Sequence, residues 1–464
     1  MNYSELHEMR LTPAELFAVL AEAPGSAFLD SALVDEHGLG RWSFLAWDPF
    51  LTLTARGDQI QVEEAGGSLR VTESPLQSLR ALLKRHASGE KPGAVPFGSG
   101  AVGYLAYDLG YGLEHLRRTA TDNLGLPELC FGFHDFILAY DHVSQKWWLA
   151  SEALQLSDRP SLADRREEVM ALAAKASEVL ASPPAVSAPT SFRSNFARAD
   201  YLAAIARAKH YIREGDIYQV NLSQRFRAPA PLPAWPLYQR LRRTNPAPFA
   251  AYLHGPDFQI LSSSPERFLR VEDGRVETRP IKGTRPRGET PEADRRLAEE
   301  LLASEKDRAE LNMIVDLERN DLGRVCAYGS VEVTRHAALE SYARVHHLVS
   351  TVAGRLQPGK DAVDLIRATF PGGSITGAPK LRAMQIIDEL EPTARGVYTG
   401  AIGWLGFNGD LDLNIAIRTM IVKAGEVFFQ AGGGIVADSD PELEYQETLD
   451  KAKALFEALG PVDS

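Results

Sequence analysis

The chain has 464 residues, 44% hydrophobic and 24% charged, the composition of an ordinary soluble globular protein. Its 50 Lys and Arg against 62 Asp and Glu give a formal net charge of −12, which excludes bulk attraction to nucleic acid and leaves an anionic substrate dependent on local cations. Two distant cysteines, Cys130 and Cys326, make neither a disulfide framework nor a zinc site, and with no leader-like N-terminus and no stretch of about 18 apolar residues the expected setting is a reducing cytoplasm, off the membrane.

Within an N-terminal region of residues 1–181, residues 1 to about 150 read as strands separated by turns. The run 26–31 is short and apolar, 40–46 alternates loosely, and 51–55 with 59–62 flank Gly57-Asp58 as a hairpin. Segment 98–107 is glycine-spaced and apolar, a packed strand entering a turn, and 146–150 is a further strand. A helix is expected over 161–180. Pro183, Pro184 and Pro189 then stand among small residues, which marks a linker at 182–192 before a second region, 193–464.

In that second region an amphipathic helix is expected over 197–214, with Gly215 at its end. Strands follow at 219–226, 249–253, 258–262 and 268–271, then a long helix over 291–319. A helix over 380–390 precedes strands at 400–405, 412–422 and 426–431. Asp440-Pro441 caps a last helix running to about residue 459. Many strands with interspersed helices predict an α+β fold built on large antiparallel sheets.

Several local patterns carry chemistry. Asp307 with Glu310, and Glu444 with Glu447, are acidic pairs three residues apart, each on one helix face. Brought together they could offer oxygen ligands to a hard cation; alone each is a solvated acidic face. The turn Gly372-Gly373-Ser374-Ile375-Thr376-Gly377-Ala378-Pro379-Lys380 opens a helix and suits a carboxylate, although it departs from the phosphate-binding pattern, which needs Gly-Lys-Ser/Thr. Gly432, Gly433 and Gly434 follow a strand and permit close approach of a ligand or form a sheet corner. Lys282 lies between Ile281 and Gly283, near Arg279, Arg285 and Arg287. Burial and neighbouring cations would both depress its pKa and make it a nucleophile. Glu266, after Pro265, is a candidate general acid or a partner of Arg267.

These patterns stand in long ordered strings. They include Asp216-Ile217-Tyr218-Gln219-Val220-Asn221-Leu222-Ser223, Ser263-Ser264-Pro265-Glu266, Pro280-Ile281-Lys282-Gly283-Thr284, Lys306-Asp307-Arg308-Ala309-Glu310, Phe370-Pro371-Gly372-Gly373-Ser374-Ile375-Thr376, Ile417-Arg418-Thr419 and Gly433-Gly434-Ile435-Val436-Ala437-Asp438-Ser439. From about residue 192 to the end the chain resembles the chorismate-utilising enzymes, with a looser match through Phe28-Leu29-Asp30-Ser31 and Gly40-Arg41-Trp42-Ser43-Phe44. The family includes anthranilate, aminodeoxychorismate, isochorismate and salicylate synthases.

The resemblance implies a four-layer αββα fold, two stacked sheets covered by helices, with N- and C-terminal parts packed intimately. It also implies roles. Glu310, Glu444 and Glu447 would hold Mg²⁺, with Asp307 behind them. Arg418 and Tyr398 would grip the enolpyruvyl carboxylate, and backbone around Thr376, Gly377, Gly433 and Gly434, with Lys380, would cradle carboxylate oxygens. His347 would stand close to the substrate, and Glu266 would handle the C4 hydroxyl.

Lys282 chooses among the branches. Anthranilate synthases carry alanine in that slot and aminodeoxychorismate synthases carry lysine, so the resemblance implies amination of chorismate at C4, on the way to 4-aminobenzoate and folate. An anthranilate synthase large subunit is the alternative, followed by an isochorismate synthase and a non-catalytic, ligand-sensing relative. Neither cysteine sits on a glycine-flanked nucleophile turn, so ammonia is expected from a separate glutaminase subunit in a heterodimer. Phe28-Leu29-Asp30-Ser31 and Asn245-Pro246-Ala247-Pro248-Phe249 match a region that binds tryptophan in some members.

Overall fold

The computed structural model describes residues 2–35, 38–88, 93–152, 154, 156, 159–178, 191–342 and 345–461. All but the last two residues of the expected linker at 182–192 lie outside the described residues.

Alternation along single strands produces the layers. In Phe136–Asp141, Phe136 and Leu138 face a core packed under helices, whereas Ile137 and Ala139 face a second, central core. In Gly100–Leu105, Val102 and Tyr104 enter the same central core, and Ala101 and Leu105 point the other way. The period of two thus sends each strand's side chains into two different cores. The central core lies between two sheets, with Phe97 and Trp404 stacked there at 4.5 Å. Helices Pro13–Phe17, Leu162–Glu178, Ala234–Thr244 and Pro441–Leu459 cover one sheet from outside; Pro75–Arg85, Glu305–Gly323 and Ala362–Thr369 cover the other. The expected four-layer α+β arrangement is the one observed.

Among the described residues each sheet has 12 strands, and all the strand ladders are antiparallel. The sequence regions interleave in both. In one sheet Ala27–Asp30 pairs with Phe249–His254; in the other Gly100–Leu105 pairs with Ala401–Gly406. No helix among the described residues is long and apolar enough to cross a membrane.

Two expected elements are divided. The helix expected over 291–319 is two helices, Pro291–Ala303 and Glu305–Gly323, because Ser304 is extended and its hydroxyl caps the second by accepting from Asp307 N at 3.2 Å. The strand expected over 412–422 is Leu411–Asn414 in one sheet and Thr419–Lys423 in the other. Between them the chain crosses the gap, and Arg418 takes a left-handed φ of 52°. Beside it, Phe258–Ser264 and Arg267–Glu272 are likewise divided between the sheets, with Pro265-Glu266 as the crossing. The two crossings are laced together by Ile415 N to Glu266 O (3.0 Å) and Ser263 N to Arg418 O (3.1 Å). Glu266 and Arg418 are therefore placed where strands change sheets.

Candidate active site

Glu266 is 5% exposed, and burial raises its carboxyl above the ordinary range. Its Oε1 accepts from Ser374 Oγ at 2.7 Å. Arg267 does not pair with it; that guanidinium goes to Asp412 and Glu277. Lys282, half-buried on strand Ile281–Pro286, donates its Nζ to the Ser374 carbonyl at 3.1 Å. Among the described residues no carboxylate stands within ion-pairing distance of it. Its pKa is lowered, and the cause is chiefly burial, opposed by Glu310 and assisted by Lys451. The nearby arginines are not responsible, contrary to expectation. Arg279 is tied to Glu340, Arg285 to Glu300 and Asp307, and Arg287 to Asp294, so their charges are already compensated.

Arg418 has no carboxylate partner among the described residues, and burial lowers its pKa despite the nearby Tyr398 and Glu447. Tyr398 is buried and its hydroxyl pushed up to about 12. A desolvated guanidinium without a counter-ion beside a neutral phenol has the chemistry to receive a carboxylate. His347 is pulled down to about 4 by burial and is neutral at pH 7, with Nδ1 2.9 Å from Thr284 Oγ1.

The acidic pairs converge from two helices. Glu310 lies on Glu305–Gly323, and Glu444 and Glu447 on Pro441–Leu459, over the glycines of strand Glu426–Ile435. That strand runs on through Gly432–Gly434, past its expected end. A Cβ on Gly433 would lie 3.1 Å from Glu444 Oε2 and 3.3 Å from Glu447 Oε1, so the glycine lets both carboxylates sit close over the strand. Glu444 Oε1 accepts from Ser439 Oγ at 2.6 Å, while its buried Oε2 has no partner among the described residues. Lys451 pairs with Glu447 at 2.5 Å. Burial raises Glu310 and Glu444; Glu447 is lowered overall, although burial pushes it upward, because Lys451 and other lysines outweigh that push. Among the described residues no three acidic, histidine or cysteine side chains stand together as a ready-made ligand set. The donors are nonetheless all oxygen, and the orphaned Glu444 Oε2 suits a hard cation. Asp307 packs against Gly283 and pairs with Arg285 at 3.3 Å.

The glycine turn is buried from Pro371 to Ala378. Gly377 has φ 138° and a Cβ there would lie 2.2 Å from Gln219 O. Thr376 turns its hydroxyl inward to Gly372 O at 2.8 Å. Lys380 is buried with its ammonium on Asp321 and, at 2.7 Å, the Thr369 carbonyl. It braces the turn from behind.

Four contributors escaped the sequence reading as individuals. Ser374 links Glu266 with Lys282. Asn221 donates Nδ2 to the Ser374 carbonyl at 2.8 Å. Arg395 is 2% exposed; it pairs with Glu391 at 2.7 Å and donates to Ile375 O at 3.0 Å and Asn221 O at 2.8 Å. Gln219 is fully buried against Gly434, with neither amide atom paired among the described residues. Ser374, Asn221 and Gln219 lie inside the quoted strings, which was the available signal.

Known proteins of similar sequence and fold identify the family. The family model described as chorismate binding enzyme matches residues 30–457. Aminodeoxychorismate synthase component 1 of Bacillus subtilis (strain 168) is 42% identical over 427 residues, covering 90% of this chain and 89% of that protein. Anthranilate synthase component 1 of Geobacillus stearothermophilus is 39% identical, covering 97% and 91%. The crystal structure of anthranilate synthase component I from Streptococcus pneumoniae TIGR4 superposes with a TM-score of 0.79 at 36% identity, covering 90% of this chain and 92% of that one. The chain belongs to the chorismate-binding enzyme family and is a chorismate-utilising enzyme.

Proposed function

We propose that the protein aminates chorismate at C4, giving 4-amino-4-deoxychorismate, with Lys282 as a covalent nucleophile and ammonia supplied by a glutaminase partner. The observation that carries this is Lys282 itself: an amine with lowered pKa, no carboxylate partner among the described residues, and a buried acid across Ser374. The similarity to proteins named aminodeoxychorismate synthase component 1 supports the same branch.

In this reading Arg418 and Tyr398 hold the enolpyruvyl carboxylate, and His347 lines the pocket as a neutral donor or acceptor. The neutral Lys282 amine forms a bond to C2. The two ring double bonds each move one place, the C4–O bond breaks, and Glu266 gives its proton to the departing hydroxyl, which leaves as water. Ammonia then bonds to C4, the double bonds return, and the C2–N bond to Lys282 breaks. The proton shed by the incoming nitrogen restores Glu266. Glu310, Glu444 and Glu447 would hold Mg²⁺, which when bound neutralises the ring carboxylate and polarises the C4 hydroxyl.

The test is incubation of the purified chain with chorismate, Mg²⁺ and an ammonium salt at alkaline pH, with products identified by mass spectrometry. The reading requires 4-amino-4-deoxychorismate from the wild type and its loss in Lys282→Ala. Anthranilate from the wild type would instead put the chain in the branch of its anthranilate synthase relatives.

A further inference from the structure

The carbonyl of Ser374 has two donors. Lys282 Nζ reaches it at 3.1 Å and Asn221 Nδ2 at 2.8 Å. Asn221 is held on every side: its backbone N donates to Thr376 O at 2.9 Å, and its backbone O accepts from Arg395 at 2.8 Å. Arg395 also takes Ile375 O, so the carbonyls of Ser374, Ile375 and Thr376 are all fixed against Asn221 or Arg395. The amide therefore comes from a rigid strand position, opposite Gly434 in the register.

We propose that Asn221 is a positioning residue for Lys282: by binding the Ser374 carbonyl it fixes the point to which the lysine is drawn and shares the oxygen that would otherwise hold the ammonium alone. Two donors on one acceptor each bind it less tightly than either would singly. Without Asn221 the carbonyl is free to swing and to keep the ammonium. The lysine then adds to C2 less readily, and ammonia, a smaller nucleophile, gains C2 for itself. The other charges facing Lys282 are Glu310 on Glu305–Gly323, Glu266 at the strand crossing, and Glu447 and Lys451 on the last helix; none lies on the Asn221 strand. The proposal rests on the reading of Lys282 as nucleophile.

The test uses the full chain in three forms: wild type, Asn221→Leu, which keeps the branching at Cγ without a donor, and Asn221→Ala. With chorismate, Mg²⁺ and ammonium, both variants should lower the ratio of 4-amino to 2-amino product by about tenfold or more, with kcat falling further than KM rises. Without substrate, trinitrobenzenesulfonate should label Lys282 more slowly in both, read from the Lys282 peptide by mass spectrometry. An unchanged product ratio in a folded variant overturns the proposal even if labelling slows. A wild-type protein that makes only the 2-amino product removes the underlying reading, and the proposal with it. Wild-type 4-amino product with unaltered variants sinks the Asn221 role alone.

Discussion

Glu266 and Lys282 meet at opposite ends of one residue: Ser374 gives its hydroxyl to the glutamate at 2.7 Å and its carbonyl to the lysine at 3.1 Å. Burial moves the two groups toward each other on the pH scale, the carboxyl up and the amine down. The proposed reaction needs the acid protonated and the amine neutral at once. In water that combination is rare; narrowing the gap between the two pKa values makes it more frequent.

A pH profile reads this directly. Because the lysine pKa, lowered from 10.5, still lies above the raised Glu266 pKa, the rate should rise with pH up to the Glu266 pKa, stay level between the two, and fall above the lysine pKa, where loss of the Glu266 proton is no longer offset by gain of free amine. Glu266→Gln should cost about 10²–10⁴-fold in kcat and abolish its limb of the profile. A Gln variant that keeps wild-type kcat and profile would falsify the acid assignment.

Arg418 has no counter-ion among the described residues, so in the proposed role the substrate carboxylate should be worth a charge-assisted, bidentate contact. Arg418→Met is expected to raise the chorismate KM or Kd by roughly 10–150-fold, the equivalent of about 1.5–3 kcal/mol. Arg418→Lys should recover only part of that, since an ammonium lacks the planar fork. Thermal stability should hold or rise, because a desolvated charge has been removed.

The Glu391–Arg395 pair is a stability prediction. Both side chains are almost wholly buried, at 3% and 2% exposure. Breaking such a pair leaves one buried charge alone, so Glu391→Gln or Arg395→Met should each cost about 3–5 kcal/mol in denaturant unfolding. The double variant should cost less than the sum. Strict additivity would mean the two do not act as a pair.

His134 gives an acid transition. It is fully buried, its Nδ1 lies 3.1 Å from the Trp47 carbonyl, and burial holds its pKa near 4 against the ordinary 6.5. The folded pKa is depressed, so the contribution is intact above about 6.5, is lost progressively as pH falls, and is fully gone below about 4. The loss is on the order of 3 kcal/mol. Unfolding free energies of wild type and His134→Gln, compared between pH 7 and pH 4, should converge toward the acid end. Parallel curves would assign the acid lability elsewhere.

Glu444 tests the metal reading. Its unpartnered Oε2 makes Glu444→Gln the variant expected to weaken Mg²⁺ binding by calorimetry at least about tenfold, with little change in melting temperature without added metal. Equal Mg²⁺ affinity in the variant would remove Glu444 from the ligand set.

Much of this was legible in the sequence because it depends on local periodicity and caps. The last helix opens at Asp440-Pro441, where Asp440 accepts from Glu442 N and Leu443 N, and the hairpin turns at Gly57-Asp58 between Leu51–Arg56 and Gln59–Glu64. The misses are where a decision is made at long range. Residues 412–422 have the pattern of one strand, and only the position of two sheets in space divides it at Ile415–Arg418. The arginines around Lys282 look like a cationic cluster until Glu340, Glu300 and Asp294, distant or unremarked, claim them. The roles of Ser374 and Asn221 turn on a backbone carbonyl, which no side-chain pattern displays.

The interleaving of the two sheets also bears on how the chain is made. Strand Gly100–Leu105 meets its partner only when Ala401–Gly406 has been synthesised, about 300 residues later, or about 15–60 s at common translation rates. Ala27–Asp30 waits likewise for Phe249–His254. For that interval the nascent first half carries two apolar strands, each with an unpaired edge, a template for pairing with another chain. Efficient production of this enzyme should therefore depend on holdase chaperones more than its final stability would suggest.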